Sequence, residues 1–332
     1  MKKNIAATSL IVFLFFSLLF FSLIHRRPVL PQQQLITNNS NSLAQTTETK
    51  AKNETATIKE AAVTPVQEVE NDNPRKKIFA DKVVALIYHH IDEHEIPGLV
   101  ISPQRFRHHL DMLRAAGYRA VGLQDMEAFL NGKPIPNNAV LITFDDGYES
   151  VYRYALPELK ARHMPALSFA IVGYMGQKLG NLQHYNWQQA AEMAAAGFIT
   201  QSHTYNLHDY APLANGHTGP ILNGPLKGQN ANEFQEMVRR DLQHSRELIE
   251  ANLHYPAVAL ALPFGAAGSL SIKVAAETGF KFIFTTRPGA ITRKTNPLYL
   301  PRINAGTPNL TTSQLDNIIR KTAGEDLKTG GQ

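Results

Sequence analysis

From Ile78 onward, short apolar runs alternate with helical stretches, and this alternation limits the fold more than any other feature of the chain. The runs cover residues 83–88, 139–144, 166–172, 198–202, 258–262 and 282–285. They show no regular apolar–polar alternation, so they read as strands buried on both faces. Ser102-Pro103 places a cap and a first-turn proline before Phe106, Leu110 and Leu113, which follow at helical spacing up to the stop at Gly117. Further helices are expected over 187–196, ending at Gly197, over the long amphipathic stretch 233–252, and over 271–278, ending at Gly279. Strands followed by helices imply a parallel sheet covered on both sides. A βα-barrel is the first expectation for this α/β chain, and an open doubly wound sheet is the second. Either places functional residues at the C-terminal ends of strands.

The first 77 residues of the 332 follow another pattern. Lys2-Lys3 precede 20 uncharged residues, 5–24, rich in Phe, Leu and Ile. That run can cross a hydrocarbon core of about 30 Å. It ends in His25-Arg26-Arg27-Pro28 with no Ala-x-Ala pattern, which favours an uncleaved signal anchor (residues 1–30) over a cleaved signal peptide. Residues 31–77 are rich in Gln, Asn, Thr, Ser, Glu and Ala and cannot bury enough apolar surface to fold, so they read as a stalk. The globular domain is expected over 78–322, with a tail at 323–332.

The absence of cysteine excludes disulfides, thiolate metal ligands, a cysteine nucleophile and a lipidated cysteine. A net charge of +5 suits an anionic surface, but the basic residues are scattered and form no DNA- or RNA-binding motif, so nucleic acid is not an expected partner.

Three clusters sit at strand ends. Thr143-Phe144-Asp145-Asp146-Gly147-Tyr148 contains an ordinary turn dipeptide, but two adjacent carboxylates at a buried strand end repel unless a cation or proton intervenes. One could hold a metal while the other serves as a base. In Ser202-His203-Thr204-Tyr205-Asn206-Leu207-His208, two imidazoles follow another strand, and with one Asp they make a three-ligand site with open positions. Their spacing does not put both on one helix face, so a loop must turn them inward. Tyr88-His89-His90 ends the first strand, where a His could protonate a leaving group or simply pack in the core.

With these motifs in place, the chain resembles the polysaccharide deacetylases, the NodB-homology family or family 4 of the carbohydrate esterases, over about residues 83–319. It is most similar to the branch acting on poly-β-1,6-N-acetylglucosamine. Tyr88-His89, the wider spacing of His203 and His208, the arginine-free Pro263-Phe264-Gly265 and the late Pro301-Arg302 carry that likeness. The resemblance implies a distorted (β/α)7 barrel with a circularly permuted order of motifs. It implies that Asp146, His203 and His208 hold one divalent ion, with zinc as the default and cobalt, nickel or iron as alternatives. Asp145 would be the general base, the Tyr148 backbone N–H would stabilise the oxyanion, and His89 would protonate the leaving amine. Tyr205, Pro263 and Phe264 would line the sugar site. The third motif has Leu262 where the family often has an arginine that orients the base, and Arg302 is expected to replace it. Residues 209–231, rich in Gly, Pro and Asn, read as a rim loop.

The expected activity is N-deacetylation of an exported polysaccharide, first poly-β-1,6-N-acetylglucosamine, then peptidoglycan or another N-acetylated glycan. A carbohydrate-binding relative without catalysis and a glycosidase are the other classes. A glycosidase needs carboxylates about 5 Å or more apart on opposite sides of a bond, which adjacent Asp145 and Asp146 do not supply. Such a substrate places the domain outside the cytoplasm, tethered to the membrane by the N-terminal helix or secreted after cleavage, with exopolysaccharide synthesis or export proteins as candidate partners.

Overall fold

A computed structural model describes residues 77–324. The expected membrane span at 5–24, the stalk up to residue 76 and the tail from 325 lie outside the described residues. Among the described residues no helix is long and apolar enough to cross a membrane.

Seven parallel strands form the main sheet: β1 (Val83–Tyr88), β2 (Ala139–Phe144), β3 (Ala166–Ala170), β4 (Phe198–Ser202), β5 (Ala259–Ala261), β6 (Phe282–Phe284) and β7 (Ile303–Asn304). Their order across the sheet is β6-β5-β4-β3-β2-β1-β7, with a two-residue strand, Arg119–Ala120, beside β2. The expected parallel α/β architecture is thus present, as a curved half-barrel sheet. Its two edges are drawn together by residues 300–304. The Leu300 N–H donates to Ile283 O at 2.7 Å, and its carbonyl accepts from Thr285 N–H at 2.9 Å. Three residues on, Ile303 pairs with Leu86 of β1.

Strand residues alternate between two apolar layers, which explains the unbroken apolar runs. Ala85, Leu141, Leu167, Phe169, Ala259, Ala261, Phe282 and Phe284 pack with one another on one face. Val84, Leu86, Val140, Ile142 and Phe144 pack on the other against α1 (Pro103–Ala115), through Phe106, Leu110 and Leu113. Each fully buried Val, Leu, Ile or Phe among them contributes about 1.5–3 kcal/mol over leaving it in water. Helices α2 (Leu123–Leu130), α3 (Leu156–Ala161), α4 (Trp187–Ala195), α5 (Ala231–Leu253), α6 (Ser269–Glu277) and α7 (Thr312–Thr322) complete the fold.

Helices α2 and α3 and strand β7 were not among the expected elements, and three stretches that were read take another form. The run 166–172 stops as a strand at Ala170 and turns through a 3-10 segment, Val172–Tyr174. Helix α5 begins at Ala231, capped by Asn230, whose side chain accepts from the N–H groups of Asn232 and Glu233. The stretch 209–231 is not an irregular loop: Tyr210–Pro212 and Thr218–Pro220 pair as an antiparallel hairpin, followed by a 3-10 turn at Ile221–Asn223.

Candidate metal centre and active site

The alternation along β2 decides where its carboxylates go. Leu141 lies in the layer enclosed by the curve of the sheet, so Thr143 and Asp145 follow on the same side. Pairing with β1 continues one residue beyond the strand, as the Asp145 N–H donates to Tyr88 O at 2.9 Å. The chain then turns sharply, with φ of 72° at Asp146 and 83° at Gly147. Asp is among the few non-glycine residues that tolerate this region. A Cβ on Gly147 would lie 3.0 Å from Ala170 Cβ, so close packing as well as conformation favours glycine there.

The turn delivers Asp146 to the two histidines. His203 Nε2 is 3.4 Å and His208 Nε2 3.3 Å from Asp146 Oδ1, all three residues are buried, and their ligand atoms lie within 4.8 Å of one another. The hydrogen-bond pattern fits a cation. His203 Nδ1 donates to Ala261 O at 2.8 Å, which leaves Nε2 of the neutral ring with a lone pair facing a carboxylate oxygen. Asp146 Oδ1 is buried and accepts no hydrogen bond. Buried orphaned acceptors are rare and costly, and a divalent ion among these three ligand atoms would satisfy all of them.

The electrostatics agree. Burial disfavours charge on Asp146, yet His203, His208 and His89 hold its carboxyl below the ordinary range. Burial opposes a proton on His203, but Asp146 and Asp145 raise its pKa, and a cation would take that proton's place. Burial pushes His208 down to about 4, so its ring is neutral at pH 7, as a ligand must be.

Asp145 has a different partner. Arg302 is fully buried, with Nη1 2.7 Å from Asp145 Oδ1 and Nη2 2.8 Å from Oδ2. Nη1 also donates to Thr143 Oγ1 at 3.0 Å, and Nε donates to Thr285 O at 3.0 Å. The guanidinium rests over Phe169 and Phe284, 5.4 and 5.7 Å from the ring centroids. Burial would raise the Asp145 pKa, but Arg302, with His203 and His89, holds it below its ordinary value. Both adjacent carboxylates are therefore anionic at neutral pH. Arg302 neutralises one, and the imidazoles face the other.

His89 and His90 separate by environment. His90 Nδ1 lies 2.8 Å from Ser150 Oγ, and its ring sits 4.9 Å from that of Tyr148. His89 Nδ1 is buried without a hydrogen-bond partner, and the ring is near enough to favour the ionised forms of Asp145 and Asp146. The Tyr148 phenol also lies at the site, pushed well up by burial and by neighbouring Asp146.

Two aromatic walls flank the triad. On one side the Tyr148 ring is 5.2 Å from His184, which is 5.3 Å from Tyr174. On the other, Phe264 lies 4.6 Å from His208 and 4.6 Å from Tyr210 of the hairpin, which is 39% exposed. Phe264 reaches this position through φ of 58° in the turn Pro263–Gly265. Gly265 is fixed by space, since a Cβ would collide with the Thr286 side chain. Pro263 is buried. The Tyr205 ring meets His244 of α5 edge-on, with ring centroids 4.5 Å apart.

The sequence reading did not single out His184, Tyr174 or Tyr210. His184 follows a short hairpin, Lys178–Leu179 with Leu182–Gln183, rather than a buried strand, so no local pattern marks it. Tyr210 had a signal, as an aromatic two residues beyond a metal-facing His.

Comparisons with known proteins point the same way. The sequence profile of the family described as polysaccharide deacetylase matches residues 132–283. The poly-beta-1,6-N-acetyl-D-glucosamine N-deacetylase of Escherichia coli K12 is 28% identical over 230 residues, 62% of this chain and 34% of the relative. The chain thus spans about a third of the length of the E. coli relatives it matches. The protein of the same name from Staphylococcus aureus MSSA476 is 25% identical over 255 residues, 72% of this chain and 84% of the relative. Among solved structures, IcaB from Ammonifex degensii superposes with a TM-score of 0.61 at 29% identity, covering 73% of this chain and 98% of that one. A de-N-acetylase from Aggregatibacter actinomycetemcomitans shares the fold, with a TM-score of 0.63 at 23% identity, over 72% of this chain and all of that one. The matched profile spans the Asp-Asp turn, both metal-facing histidines and the strands that carry them, and the solved relatives share the sheet on which they stand. On these grounds the chain belongs to the polysaccharide deacetylase family.

Proposed function

We propose that this chain is a metal-dependent N-deacetylase of an exported polysaccharide, with poly-β-1,6-N-acetylglucosamine as its first candidate substrate. The observation that carries the reading is the pairing of a buried Asp146-His203-His208 triad with a second, arginine-held carboxylate on the adjacent residue. The likeness to deacetylases of that polymer in E. coli and S. aureus supports the choice of glycan.

Asp146, His203 and His208 would hold a divalent ion, which would supply Lewis acidity toward the acetamide carbonyl and water. Zinc is the first candidate, given two imidazoles and a carboxylate. Asp145 takes the proton of the attacking water, and its two Arg302 contacts hold both oxygens in place while leaving lone pairs to accept it. The new C–O bond forms at the acetyl carbon. The developing negative oxygen is met by the main-chain N–H of Tyr148. The C–N bond then breaks, His89 gives a proton to the departing sugar amine, and acetate leaves. Phe264 and Tyr210 offer apolar faces beside His208 on which a sugar ring can rest, with Pro263 fixing the turn.

The finer fold, a distorted (β/α)7 barrel with permuted motif order, belongs to the same proposal. It draws support from the hydrogen bonds that join β6 to β1 through residues 300–304. So does an extracytoplasmic location with the apolar run 5–24 as membrane tether, which suits a polymer substrate found outside the cytoplasm and action beside its synthesis or export proteins. The test is a comparison of β-1,6- and β-1,4-linked N-acetylglucosamine oligomers as substrates. Faster release of acetate from the β-1,6 series supports the biofilm polymer. A preference for β-1,4 links contradicts it and favours peptidoglycan.

A further inference from the structure

The loop that carries both metal-facing imidazoles contains a residue in a conformation its side chain disfavours. Thr204 has φ of 72°, in the left-handed region, which is an outlier for a β-branched residue. Such a conformation persists only where the surroundings over-determine it. Here the determinant is helix α5.

A left-handed residue turns successive N–H groups toward one side and makes a concavity suited to an anion. Its occupant is the Asp241 carboxylate of α5. Oδ1 accepts the Tyr205 N–H at 2.9 Å, and Oδ2 accepts the Asn206 N–H at 2.8 Å. One turn further along α5, Ser245 Oγ lies 2.6 Å from Ser202 Oγ, and Ser202 Oγ accepts the Thr204 N–H at 3.0 Å. Residues four apart share a helix face, so Asp241 and Ser245 grip the loop on both sides of Thr204. The helix has its own anchorage, because Phe234, Val238, Leu242 and Ile249 are buried along it. Asp241 is therefore available to hold the loop rather than the helix.

We propose that Asp241 is a positioning residue of the metal centre. It fixes the main chain between the two histidines so that their Nε2 atoms converge on Asp146. The inference rests on the reading of Asp146, His203 and His208 as ligands of a divalent cation.

The test is zinc affinity at pH 7, measured on the full chain by competition with a chromophoric chelator, together with the rise in Tm on adding zinc. Outer groups that orient metal ligands typically change affinity about 10- to 100-fold when removed. Asp241→Ala is expected to weaken zinc binding by that factor and to shrink the zinc-induced rise in Tm. Asp241→Asn keeps one acceptor oxygen and is expected to recover part of the loss, which a merely structural role of the side chain would not produce. Wild-type zinc affinity in a folded Asp241→Ala protein would overturn the inference. If that variant does not fold, Asp241→Asn decides, and wild-type affinity there overturns it equally. Wild-type protein that binds no zinc, or binds it as well after Asp146→Asn, would overturn the metal centre and this inference with it.

Discussion

Replacing Arg302 with Met isolates the contribution of the buried Arg302–Asp145 pair. The substitution keeps much of the side chain's length and apolar volume over Phe169 and Phe284, but removes two hydrogen bonds to Asp145 and those to Thr143 Oγ1 and Thr285 O. Breaking a buried pair from one side leaves an uncompensated charge and costs about 3–5 kcal/mol. For a domain of this size each kcal/mol lowers Tm by about 2–4 °C, so the fall should be roughly 6–20 °C at pH 7. The pH dependence follows from the direction of the Asp145 shift. Its carboxyl is held below the ordinary value in the folded wild type, so the pair's stabilisation is present above that value and is lost as pH falls through the folded pKa. Without Arg302, burial pushes the carboxyl up instead. The deficit of Arg302→Met should therefore be greatest at neutral pH and shrink in acid. Adding Asp145→Asn to Arg302→Met removes the stranded charge and should restore part of the lost Tm. The assay is thermal unfolding followed by circular dichroism from pH 4 to 7. Unchanged Tm in Arg302→Met, or additive losses in the double variant, would show that Arg302 does not compensate the Asp145 charge.

Other consequences are as direct. His89→Gln should lower turnover by about 10²–10⁴-fold without changing metal affinity, whereas His90→Gln, whose native ring is already engaged by Ser150 Oγ, should lose far less. Equal losses in the two variants would contradict the assignment. Glu95, bound by Arg105 Nε at 2.8 Å and by the Ser102 N–H at 2.9 Å, is held down to about 2 from its ordinary 4.5. Its stabilisation is present above 4.5 and lost as pH falls toward 2, so the Tm gap between wild type and Glu95→Gln should close across that window. Chelator should lower Tm, and zinc at about 100 times its Kd should restore about 2.7 kcal/mol of stability, an effect absent in Asp146→Asn.

Much of this architecture was legible in the sequence because β1, β2, β5 and β6 are apolar on both faces. The bounds of β1, β2 and β4 follow directly from where the apolar runs stop. The Asp-Asp turn and the histidine loop were legible for a related reason, since polar, metal-capable residues directly after a buried strand have few structural explanations. Helices α2 and α3 were not read because they are short, although Leu123, Met126 and Phe129 of α2 recur at helical spacing. The hairpin at 210–220 was hidden by a composition of Gly, Pro and Asn that reads as loop, although its two strands need only three pairs. Arg302 was found only as a replacement for a missing arginine, and its full burial could not be anticipated from a sequence position next to Pro301. Asp241 carried no signal at all. It sits mid-helix among charged neighbours, and its partners are main-chain N–H groups 35 and 36 residues away.

Whether this site performs metal-dependent deacetylation is decided by acetate release from β-1,6-linked N-acetylglucosamine oligomers by the purified full chain. Release should stop with chelator, return with zinc or another divalent ion, and be abolished in Asp145→Asn protein that still binds metal. Release unaffected by chelation or by Asp145→Asn, or none from any N-acetylated glycan by metal-loaded protein, would contradict metal-dependent deacetylation by this site.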